Sequence, residues 1–377
     1  MKFLHTGDWH LGRKLNGFSL LAEQEQVFKK MIAIAEKERV DGIIIAGDIY
    51  DRSIPSIDAV QLFHDMMIEM NLEKQLPVFA ISGNHDSSIR LDVGTPWLKT
   101  ADFYLNTRLE QAFTPIEYGN CQLYLLPYFE PFHARQYFEQ EDIRTIQQAM
   151  PLVIEEMRKT FKIDKKQLLV SHFFVSGSEK SASETTLEVG GLDNVSADNF
   201  SEFDYVALGH LHYYDALKNY PNIAYSGALL KYSLSEVNQS KGVRIVNVTA
   251  SGVDSKFSPI IPTNDVFHLT DSFDNLLDET NYPEISRQDY VGITLTDTTL
   301  IDNSMNRLRE NYPKLISLDR LVSQKKDELQ EHHAATVAKL SPEKLTTQYF
   351  EQVVGRSLTV KQQEWLDEAT AQTIKER

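Results

Sequence analysis

The sequence is poor in cysteine and in long apolar segments. Cys121 is the one cysteine among 377 residues, so no disulfide bond can form within the chain. This favours a reducing compartment, and we expect the cytoplasm. The chain reaches Asp8 before a signal-peptide core could form, and no apolar run has the length of a membrane span. These shortages argue against a secreted, disulfide-stabilised or membrane-spanning protein.

Positive charge is also scarce. The 38 Lys and Arg residues face 54 Asp and Glu residues, which gives a formal net charge of -16. Such a chain is not expected to coat nucleic acid through bulk charge, although a local basic patch or bound metal ions can override the average field. A phosphate-binding loop of the form Gly-x-x-x-x-Gly-Lys-Ser/Thr is missing. Any ATP dependence must therefore come from a partner.

The central feature of the sequence is the stretch 42–51, an apolar run that ends in Gly47, Asp48 and Asp51. An uncharged run that is bounded by turn residues and preceded by a helical pattern predicts a buried strand of an α/β sheet. Ligands bind at the carboxyl ends of the strands in such sheets. We therefore expect Asp48 to project into a site and to bridge two cations, with Gly47 allowing the backbone to turn.

Four other predicted strands end in the same way, with Asp, Asn or His directly after an apolar run. These four strand ends supply six candidate metal ligands in addition to Asp48: Asp8, His10, Asn84, His172, His210 and His212. Seven oxygen and nitrogen donors are too many for one tetrahedral zinc ion, and they suit two cations such as Mn²⁺, Fe or Mg²⁺. Two ions roughly 3.5–4 Å apart can bind a phosphate and stabilise the attacking and leaving oxygens of an in-line displacement.

Three residues next to these ligands are candidates for direct roles in catalysis. His85 follows Asn84 and is not needed as a ligand. If the Asp51 carboxylate accepts a hydrogen bond from His85, it favours the imidazolium form, which could stabilise a phosphate or protonate a leaving oxygen. Arg52 is a candidate phosphate contact, and the alternative is an ordinary surface arginine.

The last third of the chain is predicted to form regions separate from the main domain. A change of composition at 259–262 predicts a boundary between a main domain at 1–260 and a small α+β cap domain at 261–317. A helical linker is expected at 318–340. Two short amphipathic helices within 341–377 predict a docking element for a partner, against the alternative of packing on the main body.

Two further segments are predicted to lie at the surface. Residues 176–191 are polar and contain glycine, which indicates a mobile loop over the strand ends. The helix predicted from residue 55 to about 71 carries a methionine-rich stripe, which is more often core or subunit interface than a cofactor site.

The motifs resemble those of the calcineurin-like metallophosphoesterase superfamily. Its five motifs are matched in order by Asp8-Trp9-His10, Gly47-Asp48-Ile49-Tyr50-Asp51, Gly83-Asn84-His85-Asp86, His172 and Gly209-His210-Leu211-His212. The resemblance implies an α/β fold, a β-sandwich flanked by helices. It also implies one ion on Asp8, His10 and His212, a second on Asn84, His172 and His210, and Asp48 as the bridge.

Within this superfamily the chain is most similar to the SbcD-type nucleases, relatives of the eukaryotic Mre nuclease. The stretches 50–53 and 225–233 and the appended cap with its terminal helices carry this likeness. It implies a homodimer whose residues 341–377 dock on the coiled coil of an SbcC-like ATPase. It further implies Mn²⁺-dependent exonuclease action on duplex DNA ends and endonuclease action on single strands and hairpins, in DNA replication, recombination and repair.

Two other functions remain open from the sequence. A stand-alone phosphatase or small-molecule phosphodiesterase of the same superfamily would use the same ligands, but it would not need the cap and terminal helices. A catalytically silent scaffold would not need the complete ligand set.

Overall fold

A computed structural model describes residues 1–179, 194–321, 346–347, 357–363 and 365–366. Most of the predicted loop at 176–191, the linker at 318–340 and the terminal helices at 341–377 therefore lie outside the described residues. The chain forms two compact units. One contains Met1–Leu295 and Ile301–Asp319, and the other contains Thr296–Leu300 and Arg320–Arg377. Within the described residues, no helix combines the length and the apolar character needed to cross a membrane.

The first sheet of the larger unit has six strands, in the order Gly252–Pro259, Gly242–Thr249, Lys2–Thr6, Gly42–Ala46, Val78–Ile81 and Phe103–Asn106. The last four strands run parallel, with Thr6 beside Ile45 and Ala46 beside Ile81. The first two form an antiparallel hairpin that pairs with Lys2–Thr6. Because the parallel strands share one direction, their carboxyl ends meet at one edge.

The second sheet has five strands, in the order Ile223–Tyr225, Tyr205–Gly209, Lys166–His172, Cys121–Leu126 and Ile116–Tyr118. Its first four strands are parallel, and Gly209 pairs with His172. One buried cluster contains residues of both sheets, among them Ile44 and Phe79 from the first and Leu125 and Val170 from the second. The two sheets thus pack face to face, and the predicted β-sandwich is present.

Helices cover both outer faces of the sandwich. Leu21–Glu38 and Ile57–Met67 cover the first sheet, and Pro131–Phe138 and Ile146–Arg158 cover the second. Shorter α-helical and 3₁₀ segments lie at Ser88–Leu91, Thr95–Leu98, Lys99–Ala101, Leu109–Phe113, Ala197–Phe200 and Leu234–Glu236, and a π-helical turn lies at Ile68–Glu73. Two short strand pairs join Lys14–Leu15 to Phe18–Ser19 and Phe174–Val175 to Asn194–Val195.

The predicted cap region contains a three-stranded sheet of Val266–Asp271, Tyr290–Leu295 and Leu315–Arg320, with helices Phe273–Leu277 and Ser304–Asn311 and a 3₁₀ turn at Glu279–Asn281. Glu23 on the first helix of the sandwich holds this region. Its Oε1 accepts hydrogen bonds from Tyr290 Oη at 2.8 Å and Asn264 Nδ2 at 3.1 Å, and it pairs with Lys314 Nζ at 3.2 Å.

Several details of the chain were predicted imperfectly. The apolar pattern of the sequence predicts a helix at 151–160, whereas the observed helix spans Ile146–Arg158, because Thr145 caps it and Pro151 is accommodated inside it. The strand Gly252–Pro259 was not predicted, since it lies at a sheet edge and carries few apolar residues. In the smaller unit, the spacing of Thr359 and Gln362 predicts a capping box, and it is present. Thr359 N donates to Gln362 Oε1 at 3.0 Å, and Gln362 N donates to Thr359 Oγ1 at 3.4 Å.

Candidate metal centre

Sharp turns at the strand ends carry the first candidate ligands. Asp8, His10 and Asp48 have φ values of 51°, 44° and 49°, in the left-handed region that side chains rarely adopt. Hydrogen bonds across the turns hold this conformation, from Asp8 N to Gly47 O and from His10 N to Asp48 O, each at 3.0 Å. Such strain persists only where the surrounding structure over-determines it, and it is typical of functional sites.

Glycine is required where these turns approach one another. A Cβ atom on Gly83 would lie 2.2 Å from Asp48 Oδ1, and one on Gly47 would lie 2.5 Å from His172 Nδ1. Gly47 also has a φ of 88°. The motif glycines therefore allow the turns to bring the Asp48 and His172 side chains together.

One half of the centre contains Asp8, His10 and His212, all buried, with ligand atoms within 4.8 Å of one another. The Nε2 atoms of His10 and His212 face each other at 3.1 Å. The Asp8 carboxylate also accepts the backbone N–H of His210, at 2.9 Å to Oδ1. These three side chains come from both sheets, so the centre lies where the two strand edges meet.

The other half contains Asn84, His172 and His210. Asn84 Oδ1 lies 3.0 Å from His172 Nε2 and 3.1 Å from His210 Nδ1. The Nδ1 atom of His172 lies 2.7 Å from Ala46 O. Because a carbonyl oxygen only accepts, His172 donates through Nδ1 and presents Nε2 to the centre.

Asp48 lies between the two halves. Its Oδ2 atom is 3.5 Å from His10 Nε2 and 3.3 Å from His172 Nε2, and its Oδ1 atom accepts the backbone N–H of His85 at 2.9 Å. A single carboxylate thus reaches a ligand of each half.

The ionisation of the buried groups is set by burial and by their mutual charges. Burial lowers the pKa of His210 to about 3 and holds that of His10 well below its usual value, so both rings are neutral and have a free lone pair. Burial opposes a charge on His172, yet the Asp48 carboxylate raises the pKa of this ring to about 9. Burial also raises the pKa of Asp8 to about 7.

These donors fit divalent cations. His172 Nε2, Asp48 Oδ2 and Asn84 Oδ1 converge. When the His172 ring is neutral, all three atoms are acceptors, and a proton or a cation must lie between them. His10 Nδ1 is buried and has no hydrogen-bond partner among the described residues. If a cation binds the Nε2 atoms of His10 and His212, the His10 proton moves to Nδ1, which lies 3.8 Å from Asp51 Oδ1. The orphaned atom then faces a carboxylate.

The candidate catalytic residues lie beside this centre, but not in the expected contact. His85 Nδ1 donates to the backbone oxygen of Asp51 at 2.9 Å, and not to its carboxylate. The Asp51 carboxylate instead pairs with Arg13 Nη1 at 2.9 Å. His85 therefore presents Nε2 to the centre, 4.0 Å from Asp48 Oδ2. The Arg52 side chain is 83 % exposed, with Nε 3.6 Å from Asp51 Oδ2.

Several supporting residues were not identified from the sequence. Asp86 accepts the backbone N–H groups of Ile49, Tyr50 and Gly83, and so ties two of the turns together. The position of Asp86 in the motif 83–86, two residues after the candidate ligand Asn84, could have identified it as a supporting residue. Glu236 lies 3.2 Å from His212 Nδ1, and no spacing in the sequence pointed to it.

Comparison with known proteins agrees with this geometry. The family model for the calcineurin-like phosphoesterases matches residues 1–214, more than half of the 377-residue chain. A second model, described as the type 5 capsule protein repressor C-terminal domain, matches residues 262–354. The superfamily proposed from the motifs is therefore confirmed, and divalent metal ions are its cofactors.

Two curated relatives cover most of the chain, and both are the SbcD subunit of the nuclease SbcCD. The relative from Staphylococcus epidermidis is 35 % identical over 323 residues, which are 85 % of this chain and 86 % of the relative. The relative from Staphylococcus saprophyticus is 32 % identical over 377 residues, or 100 % of this chain and 99 % of the relative. Nothing in these matches supports a stand-alone phosphatase. The chain belongs to the SbcD family of metal-dependent nucleases within the calcineurin-like phosphoesterases.

Proposed function

We propose that the chain is the Mn²⁺-dependent DNA nuclease subunit of a complex with an SbcC-like ATPase. The observation that carries the proposal is the position of Asp48 Oδ2, within 3.5 Å of His10 Nε2 and 3.3 Å of His172 Nε2. A carboxylate between two sets of oxygen and nitrogen donors is the arrangement that a pair of divalent ions requires. The mixture of carboxylate, amide and imidazole donors without sulfur suits Mn²⁺.

The proposed ligand sets are those of the sequence motifs. Asp8, His10 and His212 hold one ion, Asn84, His172 and His210 hold the other, and Asp48 bridges them. Such a pair supplies charge stabilisation and a nucleophile for in-line displacement at a phosphodiester. Asn84 is a neutral ligand, so the site keeps excess positive charge for an anionic substrate.

We assign the proton transfer to His85. Its Nδ1 proton is held by the Asp51 backbone oxygen, so Nε2 is the atom that faces a bound substrate. In the imidazolium form, Nε2 can donate to a phosphate oxygen or protonate the leaving oxygen. Asp51 places the Arg13 guanidinium beside the centre through their ion pair, where this side chain can contact a phosphate.

A groove next to the centre supports a nucleic-acid substrate despite the net charge of -16. Its volume is about 730 Å³, and its lining includes Arg13, Lys14 and Arg52. These cations can contact successive phosphates of a strand that enters the centre. We propose duplex ends, hairpins and single strands as the DNA substrates, in replication, recombination and repair, with Arg52 as a phosphate contact.

The partners are proposed from the relatives and from exposed apolar residues. The relatives are subunits of SbcCD, which supports an SbcC-like ATPase as partner. Ile57, Ile89 and Trp97 are 87 %, 82 % and 77 % exposed, and exposed apolar side chains of this size support a homodimer. We propose the cytoplasm as the location, consistent with the single buried cysteine.

The domain division also remains a proposal. We assign 1–260 to the nuclease domain, 261–317 to a DNA-contacting cap, 318–340 to a linker and 341–377 to helices that dock on the ATPase coiled coil. The start of the second family match at residue 262 supports the first boundary.

The test is cleavage of an end-labelled hairpin DNA in Mn²⁺, with and without the SbcC-like ATPase and ATP. We expect cleavage by the purified chain and an increase with the partner. The same reaction with Mg²⁺ in place of Mn²⁺ tests the metal. If both metals bind and no DNA is cleaved in any condition, while p-nitrophenyl phosphate is hydrolysed, the DNA assignment is wrong.

A further inference from the structure

A buried ion pair lies behind the metal centre. Glu236 and Lys241 are 0 % and 4 % exposed, and Lys241 Nζ is 2.5 Å from Glu236 Oε2. Two charges are rarely removed from water in this way, because the loss of hydration can exceed their mutual attraction. The stability of the fold is therefore a weak explanation for this pair, and its contacts are informative.

Both members of the pair contact His212. Glu236 Oε1 lies 3.2 Å from His212 Nδ1, while Lys241 Nζ donates to the backbone oxygen of His212 at 2.8 Å. The pair thus holds both the ring and the main chain of one residue. Tyr232 N donates to Glu236 Oε2 at 3.3 Å, which further fixes the carboxylate.

The contact sets the tautomer of His212. Lys241 Nζ contacts Glu236 Oε2 directly, and this ion pair favours the ionised form of the carboxylate. An ionised carboxylate only accepts hydrogen bonds, so His212 must donate through Nδ1. Its Nε2 lone pair is then directed at the centre, where it meets His10 Nε2 at 3.1 Å.

We propose that Glu236 is a positioning residue that orients His212 for one of the two metal ions, and that Lys241 holds Glu236 in place. The proposal rests on the ligand sets given under the proposed function. It adds two residues outside the sequence motifs to the metal centre, and it predicts an effect on one ion of the pair.

Mn²⁺ binding to the metal-stripped full chain tests the proposal without reference to activity. We expect Glu236→Gln to weaken one of the two sites by about 10–100-fold, the usual effect of altering the partner of a metal-ligating histidine, because a neutral amide raises the basicity of the ring less than a carboxylate does. The other site should keep its affinity. Calorimetric titration with Mn²⁺ alone would show one tight and one weakened site.

A matched control is available in the same chain. Glu23 is also a buried carboxylate, 6 % exposed, and it accepts hydrogen bonds from the cap residues Tyr290 and Asn264. Glu23→Gln removes a charge of similar burial away from the ligands, and we expect wild-type Mn²⁺ affinity at both sites. Equal losses in both variants would show a general effect of destabilisation and would overturn the proposal.

A second variant covers the case in which Glu236→Gln leaves Lys241 unbalanced and the protein does not fold. The double variant Glu236→Gln/Lys241→Met removes both charges, and it should fold and show the same weakened site. Two sites of wild-type affinity in either folded variant would overturn the proposal. The variant His212→Ala distinguishes this proposal from the ligand assignment. Wild-type Mn²⁺ binding by His212→Ala would refute the ligand set. Weak Mn²⁺ binding by His212→Ala, together with normal binding by Glu236→Gln, would refute only the role of Glu236.

Discussion

His10 Nε2 and His212 Nε2 lie 3.1 Å apart, although 202 residues separate them in the sequence. His10 follows a strand of the first sheet, and His212 follows a strand of the second. At metal–nitrogen distances of about 2.1 Å, two nitrogens that bind one ion at right angles lie roughly 3 Å apart. The contact between the edges of the two sheets therefore gives these two nitrogens a spacing that suits the binding of one divalent ion.

The bridging position of Asp48 predicts that both ions depend on it. Asp48→Ala should abolish the paired binding of Mn²⁺ and lower DNA cleavage by more than about 100-fold, the upper range for loss of a supporting partner alone. Asp164→Ala, which removes an exposed carboxylate, is the control. Calorimetry that shows two intact Mn²⁺ sites in Asp48→Ala would contradict the bridging role.

His85 is predicted to act on the substrate and not on the metals. His85→Gln should bind two Mn²⁺ ions with normal affinity, while cleavage falls by about 10²–10⁴-fold, the usual contribution of a general acid or base. The comparison is between Mn²⁺ titration and single-turnover cleavage of a labelled hairpin. Normal cleavage by this variant would refute the role of His85.

Gly83 is predicted to be essential for the position of Asp48. In Gly83→Ala the new Cβ atom would lie 2.2 Å from Asp48 Oδ1, so the carboxylate or the turn must shift. We expect a loss of Mn²⁺ affinity and a decrease of about 1–3 kcal/mol in the free energy of unfolding, typical of overpacking.

Gly17→Asn is the matched control for that substitution. Gly17 has nothing within 4 Å of a Cβ atom, and asparagine tolerates its φ of 96° better than other residues. This variant should bind Mn²⁺ normally. An unchanged metal affinity in Gly83→Ala would show that the turn adapts without cost to the centre.

Acid is predicted to destabilise the fold through His5. Burial lowers the pKa of His5 from 6.5 to about 3. Its ring nitrogens contact Tyr205 Oη at 3.1 Å and Leu208 O at 3.2 Å between the sheets. Between pH 6.5 and 3 the unfolded chain binds a proton that the folded chain does not, so stability falls with decreasing pH, by about 1.4 kcal/mol per unit from this group.

The substitution His5→Gln isolates this contribution, because glutamine can accept from Tyr205 and donate to Leu208 without titrating. Urea unfolding of the metal-free proteins at pH 7, 6 and 5 should show a shallower loss of stability in the variant. If the free energy of unfolding falls with decreasing pH by the same amount in both proteins, proton uptake by His5 on unfolding is not the cause of the loss.

Residues 341–377 are predicted to bind the ATPase and to be unnecessary for cleavage itself. Their removal should leave Mn²⁺-dependent cleavage by the isolated chain within about twofold of normal and should reduce co-purification with the SbcC-like ATPase. Unchanged co-purification would refute the docking proposal.

The sequence by itself determined which residues stand at the strand ends and the chemistry of the donors. Uncharged runs such as 42–46 are recognisable because strands buried on both faces exclude charge. The motifs also placed Asp8, Asp48 and Asn84 at one edge of the sheet. Strands that are connected through helices run parallel, so their carboxyl ends lie at the same edge. The family followed from the same motifs, and the comparisons confirm it.

Only the tertiary structure decided how these side chains are partnered. The sequence predicted a hydrogen bond from His85 to the Asp51 carboxylate, yet the structure gives the backbone oxygen to His85 and the carboxylate to Arg13. Glu236 reaches His212 from a segment without a recognisable motif. Hydrogen bonds depend on directions and on separations of a few tenths of an ångström, and these arise from the packing of the two sheets. Local residue patterns carry no such information.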